Sequence, residues 1–488
     1  MLRAVNFMAS GKGYRCFFVA CILLLAGCKS MAPAYQQPAA PVPESFPLLE
    51  SSVHADGAVA SSLAWQEYFA DEQLHVLISQ ALEHNRDLRA ALLRVEEAQA
   101  AFGIARAGMY PQVDAIGSYN RSRTPADLSF SGRPLIAEDY LVGLGVSNWE
   151  IDFWGRIRSL KDAALESFLA SDEARRALNI SLIAQVADSY MILRELDERI
   201  VIAHKTIVSR AESLRIFKRR FEVGATSKLD LIQVETLLTQ AQTLEHQLQQ
   251  ARANQYNALT LLVGREFEIS PSSYAFDDGK ILRPLSAGLP SDLLLARPDI
   301  VAAEHRLKSA NANIGAARAA FFPRVSLTTT FGSASSELQG LFDGGSHAWV
   351  FSPSISLPIF DAGRNRASLN LAEVRRELAV TGYEKTIQSA FREVADALAA
   401  RLWLQQQVES QQQTLASQSE RARLVKLRYD SGATSYFEVL DAERDLLTAE
   451  QQLVQTRRAL LSSQISLYAA LGGGSQSQTM PATGQSSP

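Results

Sequence analysis

KRRFEVGATS at residues 218–227 returns as KLRYDSGATS at residues 426–435, and its central glycine moves from Gly224 to Gly432, 208 positions on (432 − 224). Each copy reads as a helix stop followed at once by a helix start: a glycine suited to the left-handed turn, then Thr and Ser suited to an N-cap. What lies on either side makes these turns decisive. Upstream, the run from Arg156 to Val223 contains neither Gly nor Pro, and the equally long run from Arg364 to Ser431 is broken only by Gly382. As helices, at about 1.5 Å per residue, each would be roughly 100 Å long. Downstream, Thr226–Val263 and Thr434–Leu471 are return arms of equal length. Their apolar residues recur at coiled-coil spacing: Leu231, Val234, Leu238 and Ala241 in the first, Val439, Ala442, Leu446 and Ala449 in the second. The chain spells out one long helical hairpin twice.

Further matches extend the duplication towards the N-terminus. Gly155-Arg156 pairs with Gly363-Arg364, again 208 apart, and ARAGMYP at 105–111 pairs with ARAAFFP at 317–323, here 212 apart. Each copy therefore opens with a helix, expected from about Asp71 to Met109 with a break at Asn85 to Asp87, and from Pro298 to Phe321. A proline ends each helix and an alternating pattern begins: Val113, Ala115, Gly117, Tyr119 in one copy, Val325, Leu327, Thr329, Phe331 in the other. Second alternating segments follow at Leu141–Ile151 and Trp349–Ile359. Strands of about ten residues suit a tilted crossing of an outer membrane. The expected organisation is a first repeat at 64–263 and a second at 264–471, with a Gly/Ser-rich tail at 472–488 expected to be disordered.

Four strands cannot close a spanning barrel, which needs at least about eight. An open edge in lipid would leave its N–H and C=O groups without partners. Several chains must then share one barrel; two would supply eight strands and three twelve, and geometry does not choose. The attached helices must follow the same ring, and a barrel continued by a helical tube is a conduit.

Composition agrees. With 48 Lys+Arg against 52 Asp+Glu the net charge is −4, which gives no reason to expect nucleic acid. After residue 30 no apolar run is long enough to make a spanning helix. At the N-terminus, Arg3, Lys12 and Arg15 precede the apolar CFFVACILLLA at 16–26, which ends in Leu25-Ala26-Gly27-Cys28. This is a signal peptide (1–27) closing on a sequence that resembles a bacterial lipobox, with Cys28 as the acylated residue. Residues 28–63, with five prolines up to Pro47, read as a lipidated tether, and Lys29 rather than Asp after the cysteine points to the outer membrane. Cys16 and Cys21 would leave with the signal, so no thiol remains for a disulfide, a metal or a nucleophile.

The duplicated strand hairpins and long helical hairpins, the GATS turns, the lipobox and the tail together resemble the TolC-type outer-membrane efflux family, in particular its OprM/NodT-like lipoprotein branch. The resemblance spans about Leu63 to Leu471. It implies a mixed fold: a homotrimer sharing one twelve-stranded transmembrane β-barrel, continued by a long periplasmic α-helical coiled-coil barrel. It implies as partners a periplasmic adaptor and an inner-membrane transporter of the RND class, with the chain anchored in outer-membrane lipid at Cys28. It implies a passive exit duct with no cofactor, not an enzyme; drug, metal and solvent cargoes all stay open.

The same resemblance makes the turns Val223-Gly224-Ala225-Thr226 and Ser431-Gly432-Ala433-Thr434 candidate adaptor contacts, with plain helix punctuation as the bland alternative. Asp230 and Glu438 are explained locally, since Ser227-x-x-Asp230 and Ser435-x-x-Glu438 both fit a capping box. Phe437, Asp441 and Arg444 lie at i, i+4 and i+7 of one helix, and Asp441 is expected off the packing stripe, facing lumen or bulk water. Copy one has Leu229, Gln233 and Thr236 at the matching positions, so the charge pair belongs to copy two alone. Family members narrow their periplasmic aperture with an apolar residue, an acid and an arginine in this pattern. Phe437, Asp441 and Arg444 are therefore the expected gate, with Tyr429 in support; a surface ion pair of little consequence is the alternative.

Two rivals explain less. A periplasmic coiled-coil scaffold leaves the alternating segments and the lipobox idle. An enzyme lacks its chemistry: the seven histidines fall in no H-E-x-x-H, and there is no phosphate loop or metal-ligand cluster.

Overall fold

A computed structural model describes residues 30–46, 58–269, 282, 285–286, 292 and 296–475. The signal peptide, Cys28 and residues 476–488 lie outside them.

After a two-residue strand β1 (Ala58–Val59), copy one runs through α1 (Trp65–Tyr68), α2 (Glu72–His84), α3 (Arg86–Ala107), β2 (Asp114–Thr124), β3 (Leu135–Glu150), α4 (Arg156–Glu222) and α5 (Lys228–Val263). Copy two follows with β4 (Leu285–Ser286), α6 (Pro298–Ala319), β5 (Arg324–Ser335), β6 (His347–Ser356), α7 (Arg364–Asp430) and α8 (Tyr436–Ala470). The long helices α4 and α7 are 67 residues each. The expected break in the first helix falls at Asn85, whose Oδ1 accepts from Leu88 N at 2.9 Å while its Nδ2 donates to Leu262 O at 2.8 Å. No helix among the described residues is long and apolar enough to cross a membrane.

Contacts divide the chain into two units, each drawing on both copies. One comprises Val95–Ser171, Ala303–Tyr383 and the described residues up to Pro38; the other comprises the described parts of Ala39–Arg94, Asp172–Ala302 and the chain from Glu384 on.

The first unit holds the antiparallel sheet, ordered β2-β3-β5-β6. Among the described residues the outer edges of β2 and β6 have no strand partner. Register and the two-residue pleat put Tyr119, Tyr140, Val142, Leu144, Phe331 and Trp349 on one face. Phe351 and Ile355 continue it; Phe331, Trp349 and Phe351 are each more than 60% exposed in the single chain. The opposite face carries Ser118, Asn120, Asp139, Thr328, Thr330 and Ser352. Apolar out and polar in, with a period of two, is the pattern of a barrel wall in lipid. Gly143 stands opposite Gly332, where a Cβ on Gly332 would run into Val142 O, so these strands approach too closely for a side chain. Residues 30–38 lie within this unit, held by Ser30 Oγ–Ser159 Oγ at 3.0 Å, Asn311 Nδ2 to Pro33 O at 2.8 Å and Tyr35 OH to Glu304 Oε1 at 3.0 Å.

The second unit holds most of the four long helices. Apolar seams and buried polar pairs tie α4 to its return arm α5 and also to α8. Arg252 Nε donates to Asp197 Oδ1 at 2.6 Å on the α5 side. Leu440 of α8 packs into a cluster with Leu214, Phe217 and Val234.

Candidate functional site

The two helical turns share one backbone. In copy one Ala225 N donates to Arg220 O at 2.7 Å and Gly224 N to Phe221 O at 3.0 Å; in copy two Ala433 N donates to Arg428 O and Gly432 N to Tyr429 O, both at 2.8 Å. This paired bonding closes a helix on a left-handed residue, and the glycines supply it at φ 75° and 77°. Val223, Gly224, Ala225, Ser431, Gly432 and Ala433 are exposed. Thr226 and Thr434 are half-buried; Thr226 Oγ1 donates to Asp230 Oδ2 at 3.0 Å.

Beyond the turns the copies part. Copy one forms its capping box in full: Asp230 N donates to Ser227 Oγ at 3.1 Å, and Ser227 N to Asp230 Oδ2 at 3.1 Å. Those bonds, led by the Ser227 hydroxyl, hold the Asp230 carboxyl below its ordinary pKa. In copy two the expected box is absent. Ser435 makes no side-chain cap bond, and the Glu438 carboxylate is drawn to Arg428 at 3.8 Å instead. Opposite charge across the hairpin competes for the acid that would have reached back to the cap.

Asp441 pairs at the surface of the hairpin with Arg421 on α7, whose Nη2 lies 2.7 Å from Asp441 Oδ2. Arg444 bonds the other Asp441 oxygen. Asp445 completes the set: Arg421 Nη1 to Asp445 Oδ2 is 2.6 Å and Arg444 Nη2 to Asp445 Oδ1 is 3.1 Å. Two aspartates and two arginines thus form a closed ring of charge-assisted bonds from α7 to α8. The Arg421 hydrogen bond is the main cause holding the Asp445 carboxyl below its ordinary pKa, and the two aspartates push the Arg421 guanidinium up. Phe437 and Arg444 line a cavity of about 220 Å³ with Asp441 and Leu440, closed by Ile232, Gln233 and Thr236 of α5.

Arg421 and Asp445 escaped the sequence reading, although a signal was there. In an antiparallel hairpin, positions equidistant from the turn face each other, and Ala433 lies midway between positions 421 and 445. The copy-one equivalents, 208 positions back, are Ser213 and Leu237. There the tie is a single neutral acceptor: the buried Arg210 donates through Nη1 to Leu237 O at 2.6 Å.

Tyr429 sits in a separate cluster. Its hydroxyl accepts from Arg220, whose guanidinium carbon lies 5.7 Å from the Tyr429 ring centroid and 5.9 Å from that of Phe217. Tyr436 bridges them, 4.9 Å from Tyr429 and 4.4 Å from Phe217 between ring centroids. Behind both clusters burial pushes the Glu443 carboxyl up and the Arg210 guanidinium down, each partly offset by the other's charge. Among the described residues no group of three His, Cys, Asp or Glu could hold a metal ion. What the arrangement can do is lock two helices with ion pairs and release them.

A model of the outer membrane efflux protein family matches the chain twice, over residues 77–265 and 289–473. The chain belongs to this family. OprJ, an outer membrane protein of Pseudomonas aeruginosa, is 43% identical over 93% of the chain and 94% of its own length. SrpC, a solvent efflux pump outer membrane protein of Pseudomonas putida, is 44% identical over 93% of the chain and 97% of its own length. Among solved structures, the open state of the MtrE outer membrane channel of Neisseria gonorrhoeae superposes with a TM-score of 0.83 at 36% identity, over 93% of this chain and all of that one. CusC gives 0.82 at 39% identity, over 91% of this chain and all of its own. Four antiparallel strands and long helices per chain are the fold of these channels. The efflux protein described here is an outer-membrane channel of an efflux pump, not an enzyme.

Proposed function

We propose that three copies close one twelve-stranded barrel and one helical tube, forming the exit duct of a tripartite pump whose energy comes from an inner-membrane RND transporter. The unpaired edges of β2 and β6 support a shared barrel, because an open edge cannot stand in lipid. Residues 223–226 and 431–434, exposed on a rigid scaffold, are the surface for a periplasmic adaptor. Cys28 carries the lipid anchor. One relative's name speaks of solvent and another's of antibiotic, and small amphipathic molecules of those kinds are the cargo inferred for this duct.

The observation that carries the gating part is the ring of Arg421, Asp441, Arg444 and Asp445, which exists in copy two and has no charged counterpart in copy one. Three such rings, one per subunit, lock α7 to α8, and adaptor and pump open the duct by drawing them apart. Phe437 narrows the same aperture, and Tyr429 steadies the neighbouring turn through Arg220. Single-channel conductance in planar bilayers tests this on wild type and Asp441→Ala. A small wild-type conductance that rises sharply in the variant is expected. Equal conductance removes the gate and leaves the channel; no conductance from correctly inserted protein removes the conduit.

A further inference from the structure

The α4 face towards α8 is buried and polar. Glu195, 5% exposed, accepts from Arg458 Nε at 2.8 Å; Arg199 Nε donates to Gln451 Oε1 at 2.6 Å; Ser462 Oγ bonds Asp188. These three pairs set the register of one helical hairpin against the next. Shifted by 208 positions, the α4 side becomes Trp403, Gln407 and Asp396 on α7, and the α8 side becomes Gln250, Thr243 and Asn254 on α5.

All six shifted positions are exposed in the single chain, Trp403 by 53%, where Glu195 and Gln451 are buried. A large indole laid open at the position where its equivalent is buried marks a missing neighbour. The shifted pairs are also chemically matched. Asp396 and Asn254 are acceptor and donor, Gln407 and Thr243 can exchange a hydrogen bond, and the Gln250 stem suits the Trp403 face. Nothing in this set places like charges together.

We infer that these two faces meet in different copies of the chain, α7 of one against α5 of the next, in the register that α4 and α8 keep within a chain; the inference rests on the shared-barrel reading above. The seam within a chain is ion-paired through Glu195, Arg199 and Arg458, whereas the seam between chains has Asp396 as its one charge among these positions and is centred on Trp403. Ion pairs thus join the hairpins of one chain, and an aromatic contact joins those that assemble.

Cysteine pairing tests this, since the only cysteines are Cys16, Cys21 and Cys28, all at the N-terminus. The processed lipoprotein carrying Trp403→Cys with Gln250→Cys is purified from membranes in detergent and treated with a short bis-maleimide, to which each cysteine thiol adds across a C=C bond. Denaturing gels should then move most of the chain into covalent multimers ending at the trimer, while each single-cysteine variant stays monomeric. The pair Asp396→Cys with Asn254→Cys repeats the test without touching the indole. Light scattering of the same samples separates the outcomes. An intact oligomer with no cross-link, or a cross-link confined to the monomer band, overturns this seam and leaves the duct standing. A monomer by light scattering overturns both.

Discussion

The turns at Gly224 and Gly432 are one backbone carrying two different surfaces. Main-chain bonds, glycine angles and helix lengths agree closely, yet copy one caps its return arm with Ser227 and Asp230 and keeps neutral residues at 233, 236 and 237, while copy two gives up the cap bond and builds a ring of four charges. Duplication preserved what the chain needs to turn and left side chains beyond the turn free to specialise. In the tube of alternating hairpins proposed above, half would then serve as wall and half as latch.

Erasing that difference should have the largest effect. Converting copy two to copy one with Asp441→Gln, Arg444→Thr and Asp445→Leu removes every acid and one base of the ring. Conductance should rise on the order of tenfold, the shift expected of a two-state element that loses its main bias. A triple variant that conducts like wild type would make the two tips functionally equal. Next come the caps. Ser227→Ala should weaken the first turn of α5 by about 1 kcal/mol, and Ser435→Ala should cost the first turn of α8 far less, read as amide hydrogen exchange in each turn. Equal costs would show that Ser435 caps after all.

The smallest effect is in pH, and its sign divides two neighbours on α8. Burial raises the Glu443 pKa above its ordinary 4.5, so its ionised form costs stability at neutral pH and the cost fades as pH falls through the raised value. Asp445 lies below its ordinary 3.8, so its contribution is present above 3.8 and lost only as pH falls through the depressed value. Acidification from neutral should first tighten α8 on α4 and then, below about 4, loosen α8 on α7. Glu443→Gln should abolish the first change and Asp445→Asn the second, in hydrogen exchange followed against pH.

Much of this fold was legible because its grammar is local. Gly-free and Pro-free runs, glycine stops and Ser starts place helix ends within a residue or two, and Asn85 marks a break because it caps the next helix with its own side chain. The strands were less legible at their polar ends. β3 begins at Leu135 rather than Leu141 because Glu138 and Asp139, unpromising in a strand, are matched across it by Arg121 at 3.0 Å and Asn120 at 3.3 Å. β6 stops at Ser356, short of Ile359, as Pro358 has no N–H to give. Within the site, Phe437, Asp441 and Arg444 share one helix and could be read by periodicity. Arg421 sits across a turn from its partners, and the capture of Glu438 by Arg428 depends on which arm faces which.

The edges of β2 and β6, bare among the described residues, would on the shared-barrel proposal also dictate the order of events in the cell. If three subunits share one barrel, as proposed above, a lone subunit has no stable place in a bilayer, and insertion must wait for, or proceed together with, its meeting two others. The yield of finished channel then depends steeply on how many subunits are present at once. A cell can silence such a duct by a modest fall in synthesis, long before the last copy is gone.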